Sequence, residues 1–314
     1  MSNAGSRRLL LAGSLLALLV VLAALPVSPN PVTGAKAFWL DPLIDHSFMR
    51  NTLLAALLAV VTTSVVGTWV VLRGMAFLGD ALAHGVLPGI AIAFVLGFNT
   101  TLGALLAALV MVGGIAAISA RSPLPDDTSI GVLFVGFLAL AVVIMSGAGG
   151  SYTGDLNRFL FGSITAVDGP DITRQAIAAA VAVIVVVVFY RAFLVLTFDE
   201  TLARLLGMKP RLAHALLLAL LAISIVASFQ AVGNLLVFSF LIAPPAAASL
   251  VVNRVPVIMV TSVAIGAVSV TAGLLISFHA GTAAGATMAL SAVTAFLLIL
   301  LYNATLAGAA THVD

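Results

Sequence analysis

The chain contains no cysteine in its 314 residues. That excludes disulfides and thiolate ligands, so any metal site has to be built from oxygen and nitrogen. Charge is nearly as scarce: Asp, Glu, Lys and Arg together make up 8% of the residues, where soluble domains carry about a quarter. No Gly-x-x-x-x-Gly-Lys loop occurs, so any ATP would be hydrolysed by another chain, and this one is not expected to be an enzyme. The formal net charge of +2 carries less information than the placement of the charges. What fills the chain instead is apolar: 62% of it is hydrophobic. This composition predicts an all-α fold, a polytopic transmembrane helical bundle with no soluble domain of useful size.

A membrane span needs about 20 apolar residues. Windows of this kind lie at 9–25, 52–72, 76–96, 102–120, 130–146, 176–196, 212–231, 235–252, 257–278 and 283–302, which predicts about 9–10 spans. Short segments with Gly, Pro or Asp separate them. Residues 1–26 read as an N-terminal anchor or signal-like span: Arg7-Arg8 precede a Leu/Ala/Val run that ends near Pro26, and no clean Ala-x-Ala site follows. Residues 27–314 then form a single transmembrane domain.

Orientation follows from Lys and Arg. With the N-terminus in the cytoplasm, nine of the 13 basic residues fall inside: Arg7, Arg8, Arg73, Arg121, Arg191, Arg204, Lys209, Arg211 and Arg254. Lys36, Arg50, Arg158 and Arg174 fall outside. The C-terminus is then cytoplasmic as well.

Ten of the 11 acids fall in loops or at span ends, and Asp80 alone lies in a predicted span. His84 follows four residues later, on the same face of a helix. An ionisable pair inside a membrane is costly and marks a functional site by default. Aspartate oxygen and neutral imidazole nitrogen are ligands for zinc, manganese or ferrous iron. The plainer reading makes Asp80 the N-cap of a helix starting near Ala81 and His84 a buried, hydrogen-bonded histidine. Pro88 and Gly89, one turn on, loosen the backbone where irregular structure must line a cavity or be buried in protein. Small residues around the pair, Gly79, Ala83 and Gly85, predict a face that two copies of the helix could share.

The longest polar inner loop, 197–211, reads as a short amphipathic helix. Asp199 and Glu200 stand at its start, Arg204 comes later, and Gly207 and Pro210 stop it. Leu202, Leu205 and Leu206 would form an apolar stripe for a cytoplasmic partner. Tandem Pro244-Pro245, followed by alanines, predict a broken helix with close contacts, and Gly281-x-x-x-Gly285 adds a helix-packing pattern.

Taken together, the segments 72–89, 155–171, 198–207 and 231–250 resemble the membrane subunit of the zinc/manganese/iron ABC importers, the metal-permease family. The match runs in order from about Asp45 to Tyr302. The resemblance implies a type II ABC importer-like permease in the bacterial cytoplasmic membrane, and a homodimer surrounded by lipid. It implies a cytoplasmic ATP-binding subunit dimer and an extracytoplasmic metal-binding protein as partners, and no nucleic acid. It implies no permanently bound cofactor, only a transported divalent ion such as Zn2+ or Mn2+. It places Asp80 and His84 on the metal path. It makes Phe198, Asp199, Glu200, Ala203, Leu205, Leu206 and Gly207 part of a coupling helix for the ATPase. Two rivals are a siderophore or cobalamin permease, which needs no metal-ligand pair, and a proton-coupled secondary transporter, which needs no ATPase. An intramembrane aspartyl protease would need two carboxylates sharing a site, and only Asp80 qualifies.

The absence of cysteine makes the topology easy to test. A cysteine at Ser163 should react with an impermeant thiol reagent from outside intact cells, and one at Ser122 only after the membrane is opened. The reverse labelling pattern would overturn the orientation.

Overall fold

The computed structural model describes residues 46–121, 126–147, 167–205 and 207–310. The predicted span at 9–25, Leu206, Ser163 and most of the 155–171 segment lie outside the described residues.

Among the described residues there are twelve helices and no strand: α1 (Ser47–Leu72), α2 (Ala76–Gly85), α3 (Leu87–Leu96), α4 (Thr100–Arg121), α5 (Asp126–Gly147), α6 (Gly169–Val188), α7 (Tyr190–Phe198), α8 (Glu200–Leu205), α9 (Pro210–Val232), α10 (Asn234–Ser249), α11 (Val255–Ala280) and α12 (Ala284–Ala310). Eight stretches are long and apolar enough to cross a membrane, with α2 and α3 counting as one span, and Leu236–Ser249 adds a shorter apolar helix. The all-α bundle read from the sequence is the fold.

α1 is the hub, packed on α6, α9, α10 and α11. On one flank α2 and α3 pack on α5, and α3 on α4. On the other flank α10, α11 and α12 pack on one another. α9 ties the halves by touching α1, α4 and α6.

The buried face of α1 is made of small and hydroxyl residues, among them Ala55, Ala56, Ala59, Thr62, Thr63, Ser64, Gly67 and Thr68. Lipid is as apolar as leucine, so helices in a membrane gain by close approach rather than by hiding apolar surface from water. Three of the hydroxyls are satisfied within their own helix: Thr62 donates to Leu58 O at 2.8 Å, Thr63 to Ala59 O at 2.7 Å and Thr68 to Ser64 O at 2.8 Å. Gln175 of α6, fully buried, donates from Nε2 to Ser228 Oγ of α9 at 3.0 Å and to Thr62 Oγ1 of α1 at 3.3 Å. One side chain thereby pins three helices where water cannot compete.

One backbone-to-backbone crossing joins α1 to α10. A methyl group at Gly67 would stand 2.0 Å from Leu241 O. The sequence predicts a broken helix at Pro244-Pro245, yet α10 runs unbroken through both prolines. Pro245 has no N–H for the Leu241 carbonyl one turn earlier, and that carbonyl faces the Gly67 Cα, where a Cα–H···O contact occupies it. The tight contacts expected near the prolines are therefore present, and the break is not. A second backbone crossing joins α3 and α4: a methyl at Gly89 would meet Gly103 O at 2.0 Å, and one at Gly103 would meet Gly89 O at 2.3 Å. Gly281, by contrast, is no packing residue. It ends α11 with φ +63 and has nothing near it.

These contacts predict opposite behaviour for two glycines inside helices. Gly67→Val should cost about 1–3 kcal/mol or more by forcing α10 off α1. Gly113→Ala, where an added methyl meets nothing within 4 Å, should be neutral or stabilise by up to about 1 kcal/mol through helix propensity. Thermal midpoints of the detergent-purified variants check this, and equal midpoints would refute the Gly67 contact.

Candidate functional site

α1 ends in a turn that leads directly into α2. Arg73 caps α1, Gly74 donates to Val71 O at 3.0 Å, and Met75 donates to Val70 O at 2.9 Å. This pair of bonds is a Schellman motif, and it needs a left-handed residue, which Gly74 supplies with φ +67. Met75 is then the N-cap of α2, and Asp80 is the fifth residue of the helix. The capping reading of Asp80 is thus overturned: its carboxylate projects from the middle of α2, about 6 Å along the axis from the helix start at 1.5 Å per residue.

His84 joins it one turn on. Nδ1 of His84 lies 3.5 Å from Asp80 Oδ1 and 3.1 Å from the Asp80 backbone O. The far ring nitrogen, Nε2, is the one that points away from Asp80. This is the arrangement in which a carboxylate and a carbonyl orient an imidazole whose other nitrogen faces a ligand. The two side chains are about a quarter to a third exposed, 24% for His84 and 30% for Asp80. Phe134 of α5 stands edge-on to the His84 ring at 5.6 Å, and Phe77 stands against Phe134 at 6.1 Å. Nothing in the sequence distinguished Phe134 from the other apolar residues of its span; only the packing of α5 on α2 brings it to the imidazole.

The small residues beside the pair do not face outward. A methyl at Gly79 would meet Leu241 Cδ2 at 2.4 Å, one at Gly85 would meet Met111 Sδ at 2.0 Å, and Ala83 is buried. Their small size lets α2 pack inside its own bundle, so the expectation that they form a face shared with a second copy is corrected. The face that remains open is that of Asp80 and His84 themselves. Among the described residues no group of three or more His, Cys, Asp or Glu comes together. The pair supplies two donors where a tetrahedral ion takes four.

The second predicted element is present as α8. Asp199 is its N-cap: Oδ1 accepts from the Leu202 N–H at 2.8 Å, and the Asp199 carbonyl accepts from Ala203 N–H at 3.1 Å. Glu200 is the first residue of the helix. Ala203 is buried against the bundle, whereas Phe198, Leu202 and Leu205 are exposed at 68%, 44% and 80%. Gly207 closes the helix with φ +71, donating to Arg204 O at 3.1 Å while Met208 donates to Ala203 O at 3.0 Å. Arg73 Nη1 donates to Leu196 O of α7 at 3.4 Å. The α1–α2 turn and α8 therefore lie at the same end of the bundle.

The sequence pattern of the ABC 3 transport family matches residues 45–303. The chain is 35% identical over 266 residues to the manganese transport system membrane protein MntC of Halalkalibacterium halodurans, covering 85% of this chain and 91% of the relative. It is 35% identical over 260 residues to the manganese import system permease protein ScaB of Streptococcus gordonii, covering 83% and 93%. Among solved structures, PsaBC from Streptococcus pneumoniae in complex with Fab superposes with a TM-score of 0.76 at 33% identity, covering 84% of this chain and 94% of that one. A match that takes in α1 through most of α12, and with it both Asp80–His84 and α8, shows that the chain belongs to the ABC 3 transport family, as a multi-pass membrane component of an ABC transporter.

Proposed function

We propose that this chain is the permease subunit of a bacterial ABC importer for a divalent transition metal, with manganese as the favoured substrate. The observation that carries the reading is the Asp80–His84 pair, set mid-helix in a membrane span with its two donors on one face. Two features support the substrate class: an oxygen and nitrogen donor set without thiolate, and similarity along most of the chain to manganese transport membrane proteins. Zinc would bind such donors more tightly than manganese, so selection belongs to the protein that delivers the ion.

In this reading residues 27–314 form one permease domain that begins at the outer face, and the N- and C-termini of the chain both lie in the cytoplasm. Two copies assemble around the ion path. The partly exposed Asp80 and His84 of each copy would supply four donors across a two-fold axis. An extracytoplasmic metal-binding protein hands over the ion at the outer face. A cytoplasmic ATPase dimer docks on α8, where Phe198, Leu202 and Leu205 expose apolar surface on the side that meets water rather than lipid. Apolar surface exposed to water marks an interaction site. Asp199 and Gly207 hold the two ends of that docking helix, so its geometry is set before the partner binds. A transport site must also release its ion, and two donors per copy suit transient binding.

Asp80→Asn and His84→Ala should each reduce manganese uptake by roughly 10–100-fold while membrane insertion and ATPase assembly stay intact. Uptake at the wild-type rate by both variants would overturn the pair's role. Leu205→Asp, at an exposed position, should weaken ATPase binding by about tenfold or more, measured by co-purification, without changing the melting of the permease alone. Gly207→Val should act likewise by straining the left-handed helix end. Normal transport by both variants with a bound ATPase would reduce α8 to a connector.

A further inference from the structure

α8 and the Asp80–His84 pair stand on helices that are not neighbours in the chain, and the last turn of α1 joins them. Trp69, fully buried, meets Tyr190 edge-on at 5.8 Å and Phe193 at 5.7 Å. Phe193 is itself fully buried. One turn later, half-buried Arg73 donates from Nη1 to Leu196 O at 3.4 Å. α7 ends at Phe198, so Leu196 O belongs to the last four carbonyls, which a helix leaves without a donor of its own. A guanidinium there satisfies a carbonyl and also meets the negative end of the helix dipole.

Both ends of this tie are short and stiff. On one side α7 passes through a single residue, Asp199, into α8, whose first turn Asp199 caps. On the other side Arg73 is the C-cap of α1, and the two hydrogen bonds of the Gly74 turn carry the chain into α2. A displacement of α8 therefore reaches Arg73 through one helix, and reaches Asp80 through one turn and the start of another. The contacts of Trp69 with Tyr190 and Phe193 and of Arg73 with Leu196 all fall within the same turn and a half of α1.

We propose that Arg73 is a positioning residue that transmits movement of the ATPase-docking helix α8 to the helix carrying Asp80 and His84. This rests on the reading of α8 as the docking helix and of the pair as the metal pair. In this role Arg73 acts through Leu196 on one side and through the Gly74 turn on the other.

The test uses the full transporter, with permease, ATPase and binding protein reconstituted in proteoliposomes and manganese as the probe, and reads ATP hydrolysed per ion imported. Arg73→Met should assemble with the ATPase and hydrolyse ATP at close to the wild-type rate. Its import should fall roughly 2- to 30-fold, the range expected for loss of a coupling contact, so ATP spent per ion rises by the same factor. Arg73→Lys keeps a cationic donor for the Leu196 carbonyl and should recover most of the ratio. A wild-type ratio in Arg73→Met overturns the proposal. So does failure of Arg73→Met to assemble, because Arg73 would then serve the fold rather than coupling, and so does an Arg73→Lys as uncoupled as the methionine variant. Leu205→Asp and Asp80→Asn, run in parallel, keep the two ideas apart. If they lose assembly and import respectively while Arg73→Met is normal, the relay fails and the functional reading stands. If they have no effect, the functional reading fails first.

Discussion

The contact between Gly67 and the Leu241 carbonyl sets the geometry on which the rest of the bundle depends. It brings α1 and α10 together backbone to backbone, with no side chain between them. The carbonyl is available because Pro245 cannot donate to it, and it is satisfied because glycine leaves its Cα open. The same residue then reaches a third helix: the Leu241 side chain lies over Gly79, next to Asp80. One position on α10 thus fixes the crossing of α1 and the seat of α2 together. A pair of ionisable groups inside a membrane needs such a mount. Its cost is tolerable only if the surrounding protein holds it where it can meet a partner or water.

Unlike a soluble protein, the bundle carries large apolar residues outside, such as Leu106, Val135, Val143 and Ile184, as well as inside, where Trp69, Phe193, Leu218 and Leu221 are buried. Small and hydroxyl side chains such as Thr62, Thr63, Ser64, Thr68, Ser224 and Ser228 share that interior. Lipid removes the incentive to bury leucine and leaves close packing and hydrogen bonding to hold the helices. The hydroxyls largely bond back to their own helices, which adds little between helices but lets small residues sit at the crossings. Ser291 Oγ reaches across from α12 to Ser269 O of α11, and Gln175 binds across three helices.

At one end of the bundle the environment changes from lipid to water, and the same kind of residue changes meaning. Val143 facing outward in α5 needs no partner beyond lipid. Leu205, 80% exposed in α8, stands on a helix of six residues too short to span anything. That helix is capped at both ends by groups of its own, Asp199 and Gly207. Caps alone do not stabilise so short a helix, and Ala203 is its buried foothold on the bundle.

The sequence by itself determined the fold class and most of the spans, and it singled out the candidate residues. Length and hydropathy act locally, so runs of apolar residues announce helices wherever they fall. The rarity of charge made Asp80, His84 and the 197–211 loop conspicuous, and the i,i+4 spacing placed the pair on one face without any knowledge of neighbours. Helix ends were legible where a local device made them, as at Asp199 and Gly207. The sequence could not say which face of each span looks inward, because every face of a membrane helix is apolar and the periodicity that sorts inside from outside in water is lost. Only the tertiary structure decided that Gly79 and Gly85 pack inside their own bundle, that α10 stays continuous through two prolines, that Phe134 stands against His84 and that Arg73 reaches Leu196. Each of these depends on which residues lie opposite one another across a helix crossing. Leu241 facing Gly67, and Leu196 facing Arg73, are 174 and 123 residues away in the chain, beyond the reach of any local pattern.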